Sequence, residues 1–294
     1  MKRARKVSSK PKAEIGIIGG SGLYQMEGLS RLHEVRIKTP FGPPSDAMMI
    51  GAIDGIPVAF LSRHGRGHRI SPTDINFRAN IFAMKLLGVR RILSVSAVGS
   101  MKEKIHPGHL VIPDQFVDLT KRRISTFFGE GVVAHVSFAD PTCPVLRSVM
   151  ADAAHASGAT IHEGGVYLCM EGPQFSTRGE SLIYRQWGVD VIGMTNATEA
   201  KLAREAEICY ATLALATDYD CWYHGEESVT VEAVIQMLHQ NVEAAKRLIR
   251  TAVPKIPSGR SCPCAVALKN AIITSADKIP QKTRERLKPL LGDI

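Results

Sequence analysis

The 294-residue chain lacks the features that define several large classes of protein. No apolar run approaches the ~18–20 residues needed to cross a bilayer, and the opening MKRARKVSSKPK has no apolar stretch of the kind that heads a secretory signal. A membrane or secreted protein is therefore not expected, and a cytoplasmic one is. Six cysteines are too few for a disulfide framework in a chain this long, and none shows the paired CxxC spacing of a zinc site. Cys143, Cys169, Cys209 and Cys221 lie beside apolar segments and read as buried thiols. Cys262 and Cys264, in SCPC, stand one residue apart and fit a redox clip, a metal pair or no role at all. Internal repeats and low-complexity tracts are also missing.

Acidic residues are absent from the first twelve positions, where Lys2, Arg3, Arg5, Lys6, Lys10 and Lys12 supply six of the charges behind the net +9. A second basic cluster, Lys278, Lys282, Arg284, Arg286 and Lys288, lies near the other end. Positive charge gathered at the termini reads as solvated tails rather than as a recognition helix, so nucleic acid is not an expected partner. Residues 1–13 are expected to form a basic tail and residues 14–294 one domain.

What is present is alternation. EIGIIGGSG is an apolar run broken by glycines, as at the end of a buried strand, and IPVAFLSRHG, RRILSVSAVGS, GGVYLCMEG, VDVIGM and CYATLALATD repeat the pattern. Between them DINFRANIFAMKLLGV, RGESLIYRQWG and EAKLAREAEI carry helical periodicity. From Thr230, residues Val231, Val234, Ile235, Leu238, Val242, Ala245 and Leu248 fall on one helical face. The class is α/β, with a central mixed or parallel sheet flanked by helices.

Open α/β sheets bind ligands beyond the carboxyl ends of their strands. The residues there are Gly19, Gly20 and Ser21; Arg63 and His64; Ser96, Ala97 and Gly99; Thr195 and Asn196; and Asp218 with Asp220. Glycine backbone, hydroxyls and an arginine fork suit an oxyanion, and phosphate is the natural one. GGSG lacks the GK[ST] of a P-loop and, with Gln25 in place of a third glycine, is not a dinucleotide fingerprint. Asp218 and Asp220 allow a metal, proton transfer, ligand recognition or capping. No clustered ligand spacing supports the metal. Paired carboxylates opposite a phosphate pocket suit a ligand with N–H donors remote from the phosphate, as in purine nucleosides.

The segments IGIIGGSGLY, TPFGPPSD, RHGRGH, SVSAVGS, IPDQFVD, MEGPQFSTRGES, VIGMT and ATDYDCW, in this order, resemble the 5′-methylthioadenosine phosphorylases of the purine nucleoside phosphorylase superfamily. The resemblance runs from about Glu14 to Arg250. It implies phosphorolysis to adenine and 5-methylthioribose 1-phosphate, with phosphate as co-substrate and no metal or organic cofactor. It places Ser21, Arg63, His64, Ser96, Ala97 and Thr195 on phosphate, Met194 on the ribose and Phe175 against base or ribose, with Ser176 at a specificity position. Asp218 is implied as the acid at purine N7, which needs a raised pKa, and Asp220 as the acceptor from a 6-amino group. Val231 and Val234 would wall the 5′-methylthio group, and His135 would reach a neighbouring subunit's 5′ pocket. That implies an oligomer, a trimer in most of the family and a hexamer in some microbial members.

Asn196, Ala197, Thr198 and Glu199 follow Thr195 where the family usually carries a proline-containing segment. SCPC resembles CxC segments of thermostable archaeal members, and Cys143 and Cys209 match cysteines that are paired there. Members from reducing cytosol keep such thiols free, and no disulfide is expected. The rival readings are a phosphorylase of broader 6-oxo or 6-amino purine preference, methylthioinosine included, and a non-catalytic nucleoside or nucleic-acid binder.

Overall fold

The computed structural model describes residues 13–20, 22–23, 26–223 and 231–292; side chains at 231–234, 236, 238 and 239 fall outside that description. Ser21 and the side chains of Val231 and Val234 therefore lie outside the described residues, as does the basic tail. Ala13, at the tail's expected end, is already buried, and its N–H donates to Leu87 O.

Four strands form the heart of the sheet: β1 (Ile15–Gly19), β4 (Ile56–Ser62), β5 (Arg91–Ser100) and β11 (Cys209–Asp218). β1 lies parallel between β4 and β5, and β11 runs parallel along β5 from the pair Cys209–Arg91 onward. These strands are buried on both faces, which is why their sequences read as continuous apolar runs. β2 (Leu29–Val35) and β3 (Met48–Ile53) extend the sheet antiparallel beyond β4. β2 is largely exposed and polar, so it has no apolar signature.

At its last two residues, Gly99 and Ser100, β5 meets β10 (Val191–Gly193) in antiparallel pairing, and β9 (Val166–Cys169) and β7 (Gln115–Asp118) follow. Beyond β11, β6 (Leu110–Ile112) is antiparallel to it, and β8 (Ile161–Glu163) is parallel to β6. The eleven strands make one mixed sheet.

Side chains of β1 alternate between two cores. Ile18 joins the face covered by α1 (Phe77–Leu86), α4 (Asn196–Glu205) and α6 (Gln281–Leu291), whereas Ile15 and Ile17 join the face covered by α2 (Pro144–Ala156) and α5 (Val231–Ala252). Local chemistry sets the helix starts. Asn76 caps α1 by accepting from Ala79 N–H, Pro144 opens α2, and Thr177 and Glu180 form a capping box on α3 (Arg178–Gln186). The α4 sequence looks too polar for a core helix, yet Asn196, Thr198 and Glu199 are fully buried. The Asn196 amide and the Glu199 carboxylate are taken up by the site.

Candidate active site

The ends of β1, β4, β5, β10 and β11 enclose one cavity of about 740 Å³. Gly20, Arg63, His64, Ser96, Ala97, Gly99, Met194, Thr195, Phe175, Asp218 and Asp220 all line it, so the strand-end groups do converge. Ile235 and Val242 of α5 line it too. Ile235 is on the expected apolar face but 47% exposed, because that face opens onto the cavity at the start of the helix.

Arg63 is the most constrained side chain. It is buried, and its fork is closed on Glu199: Nε donates to Oε1 at 2.7 Å and Nη2 to Oε2 at 3.1 Å. Nη2 also donates to Ser94 Oγ and Nη1 to Val95 O, both at 2.6 Å. One of its five N–H donors remains for the cavity. Glu199 further accepts from Ser94 Oγ at 2.8 Å and Tyr210 OH at 2.9 Å. Asn196 Nδ2 lies within hydrogen-bonding distance of Ser94 Oγ, Tyr210 OH and Thr212 Oγ1. Burial by itself would lower the Arg63 pKa, but Glu199 outweighs it and the guanidinium is held charged.

Asn196 and Glu199 thus lie in the first turn of a buried helix that anchors Arg63. Sequence reasoning missed Glu199 and Ser94 as site residues. The available signal was a carboxylate one helical turn after Thr195 in a segment that must pack on the sheet.

Thr195 is the N-cap residue of α4 and makes no side-chain cap bond to the first turn, so the helix presents its N-terminus at the cavity. Such a terminus favours an anion. Ser96 Oγ stands 3.4 Å from Tyr167 OH. The His64 ring donates from Nδ1 to Ile70 O at 2.8 Å, since a carbonyl only accepts, and stacks on His68 at 4.2 Å. Burial first, then the Arg63 charge, pushes its pKa down to about 4. It is neutral at pH 7 with a lone pair on Nε2.

The opposite end is built on the last residues of β11. Asp218 Oδ1 accepts from Asp220 N–H at 2.8 Å and Oδ2 from Thr217 Oγ1 at 2.7 Å. Asp220, in the left-handed region at φ 52°, accepts from Ser181 Oγ at 2.6 Å. Burial raises its pKa above the ordinary carboxylate range, against the opposing pull of Ser181.

Tyr219 between them packs into the protein beside Trp222, whose Nε1 donates to Ser100 O at 2.7 Å and whose ring lies under the Arg185 guanidinium. The tyrosine separates two carboxylates that share the cavity. Gly99 allows this closeness, because a Cβ there would stand 3.0 Å from Asp218 Oδ1 and 3.3 Å from Asp220 Cβ.

Met194 forms part of the wall between the two ends. Its carbonyl accepts from Arg123 Nη1, and Arg123 Nε donates to Glu171 Oε1 at 3.1 Å. Burial would raise the Glu171 pKa, but hydrogen bonds from Lys121 N–H, Thr73 and Arg122 N–H hold it at about 2. Ser176 is not at the cavity surface; its carbonyl accepts from Cys221 Sγ. His135 is exposed and does not line its own chain's cavity.

A mixed sheet with an anion-suited corner and a carboxylate-lined end, joined in one cavity, defines an enzyme class that brings an oxyanion to a polar heterocyclic substrate. The comparisons with known proteins agree with that class. A family model described as "Phosphorylase superfamily" matches residues 14–254. The chain is 60% identical over 279 residues to S-methyl-5′-thioadenosine phosphorylase of Geobacter sulfurreducens, covering 95% of this chain and 98% of that protein. Among solved structures, methylthioadenosine phosphorylase from an antarctic soil metagenomic library superposes with a TM-score of 0.92 at 50% identity, covering 96% of this chain and 100% of the other. A variant adenosine/methylthioadenosine phosphorylase of Schistosoma mansoni, in complex with adenine, gives 0.81 at 35% identity, covering 85% and 93%. The chain belongs to the phosphorylase superfamily.

Proposed function

We propose that the protein is a pentosyltransferase that cleaves S-methyl-5′-thioadenosine with inorganic phosphate, giving adenine and S-methyl-5-thio-α-D-ribose 1-phosphate, a step of purine and methionine salvage. The observation that carries this reading is the division of one cavity into an anion corner at Arg63, His64, Ser96, Ala97 and Thr195 and a carboxylate end at Asp218 and Asp220. Similarity to phosphorylases of that substrate, over nearly the whole chain, supports it.

Cleavage of the N-glycosidic bond leaves positive charge on the sugar and negative charge on the purine. Phosphate in the anion corner stabilises the sugar cation and attacks C1′. The spare Arg63 N–H, the Ser96 and Thr195 hydroxyls and the α4 terminus donate to it, together with Ser21 on the glycine turn. His64 Nε2 accepts a hydrogen bond from a protonated phosphate oxygen. Asp218 delivers or shares the proton at N7 as the purine leaves, and Asp220 accepts from the 6-amino group. Met194 meets the ribose, Phe175 the base, and the start of α5, with Val231, Val234 and Ile235, the methylthio group. Ser176 acts on specificity indirectly, behind the wall. This scheme needs no metal or organic cofactor.

The exposure of His135 suits a role in a neighbouring subunit's pocket, and the reading includes a homo-oligomer, a trimer or a dimer of trimers. It also includes a cytoplasmic location and no nucleic-acid or membrane partner. One observation favours a second, broader reading. Burial raises the Asp220 pKa and so favours its protonated form, and a protonated carboxyl donates to a 6-oxo group. Turnover of methylthioadenosine, adenosine, methylthioinosine and inosine, with and without phosphate, tests both. We expect phosphate-dependent adenine release, with the 6-oxo substrates gaining only as pH falls. Phosphate-independent release would make the enzyme a hydrolase, and an inosine preference at neutral pH would overturn the role of Asp220.

A further inference from the structure

Four cysteines unused by this chemistry meet at the end of the sheet opposite the cavity. The Sγ atoms of Cys143, Cys209, Cys262 and Cys264 all lie within 4.8 Å of one another, and all four residues are buried. Cys209 opens β11, at the opposite end of the strand from Asp218, and Cys143 is the N-cap residue of α2. Cys262 and Cys264 belong to the segment between α5 and α6, at the start of a short 3-10 turn, Pro263–Val266. No CxxC spacing announces the group, because three separate pieces of chain supply it.

We propose that these four thiols form a tetrathiolate site for one structural zinc ion, which fastens the segment after α5 to the sheet. Zn–S bonds of about 2.3 Å place tetrahedral sulfurs about 3.8 Å apart. Cys209 Sγ and Cys262 Sγ stand 3.3 Å apart, so these two sulfurs already lie near that separation, and the widest pairs need close by only about 1 Å. Four soft sulfurs in mutual reach select a tetrahedral thiophilic ion, and four protein ligands leave no open position for catalysis.

Binding exchanges protons for metal. One Zn²⁺ and four thiols give a tetrathiolate of charge −2 and release four protons to solvent. The segment that leads into Cys262 is already tied to the sheet: Arg91, the β5 partner of Cys209 and 3% exposed, donates to Gly259 O at 2.6 Å and to Ser258 O. Otherwise the four cysteines sit in an apolar core with Leu146, Ile249 and Val253. The zinc would tie the start of α2, the start of β11 and the path toward α6 into one node.

The test uses the full chain expressed with added zinc and purified in reducing buffer. We expect about one zinc per chain by elemental analysis, retained through gel filtration with chelator, falling to about a tenth or less in the double variant Cys262→Ser/Cys264→Ser. Should that variant fold poorly, cobalt-loaded wild type provides an independent readout, the sulfur-to-cobalt charge-transfer absorption and strong visible bands of tetrahedral cobalt thiolate. Metal-free protein with all six thiols titrating freely after denaturation would overturn the proposal. So would a mass lowered by two disulfides in the freshly purified chain.

Discussion

The two ends of the cavity are built by opposite means. At the anion corner a buried charge is held by another buried charge. Arg63 and Glu199 close on each other in a network with Ser94, Asn196 and Tyr210, and almost every donor is already spent. At the carboxylate end Asp218 and Asp220 are held by single hydroxyl and backbone donors at a strand end, in a turn that needs positive φ and the bare backbone of Gly99. A preformed corner suits phosphate, whose charge and shape are fixed. Lightly held carboxylates suit the base, where protonation changes during the reaction.

Substitutions should separate the two ends. The largest effect is expected from Asp218→Asn, which removes the proton donor while keeping the shape: kcat for methylthioadenosine should fall about 10²- to 10⁴-fold with little change in thermal unfolding. Glu199→Gln leaves the Arg63 charge buried without its counter-ion. It should cost about 3–5 kcal/mol of stability, a Tm drop on the order of 10 °C by calorimetry, and raise KM for phosphate. Asp220→Asn should move the kcat/KM ratio about 10- to 100-fold from 6-amino toward 6-oxo nucleosides, since an amide donates where an ionised carboxylate cannot. Because burial raises the Asp220 pKa, its ionised form weakens the fold as pH rises above the usual carboxylate range, so Tm at neutral pH should hold or increase.

A smaller effect is a pH slope. The His64 pKa is lowered from 6.5 to about 4 in the folded protein, so between those values the unfolded chain binds the extra proton. The contribution of His64 is nil above the upper value, and stability falls as pH drops through the window. Tm measured from pH 7 to 4 should show that acid limb flattened in His64→Gln and preserved in Asp220→Asn. Smallest of all, Ser181→Ala removes one hydroxyl from Asp220 and should cost about 1 kcal/mol and a few-fold in kcat/KM.

The sheet's central strands were legible in sequence because they are buried on both faces, and the strand-end residues converge as the open-sheet rule requires. β2 was not, being an exposed edge whose polar residues carry no buried periodicity, and β6 and β8 are three residues each. The start of α4 was read three residues late, at Glu199, because Asn196 and Thr198 look like loop; both are core residues, and the Asn196 amide is paired in three dimensions. Glu199 is 136 positions from Arg63, and the four clustered cysteines come from three distant segments. Such partnerships are properties of the fold, and no local spacing encodes them. The pairing of Asp218 with Asp220 was legible, and both face the cavity.

The most direct test of this two-ended account is an initial-rate study varying phosphate and methylthioadenosine together, in wild type, Glu199→Gln and Asp220→Asn. The account predicts that Glu199→Gln raises KM for phosphate about tenfold or more while KM for the nucleoside stays within about twofold, and that Asp220→Asn does the reverse. Equal changes in both constants in either variant would contradict it, since the cavity would then respond as one unit.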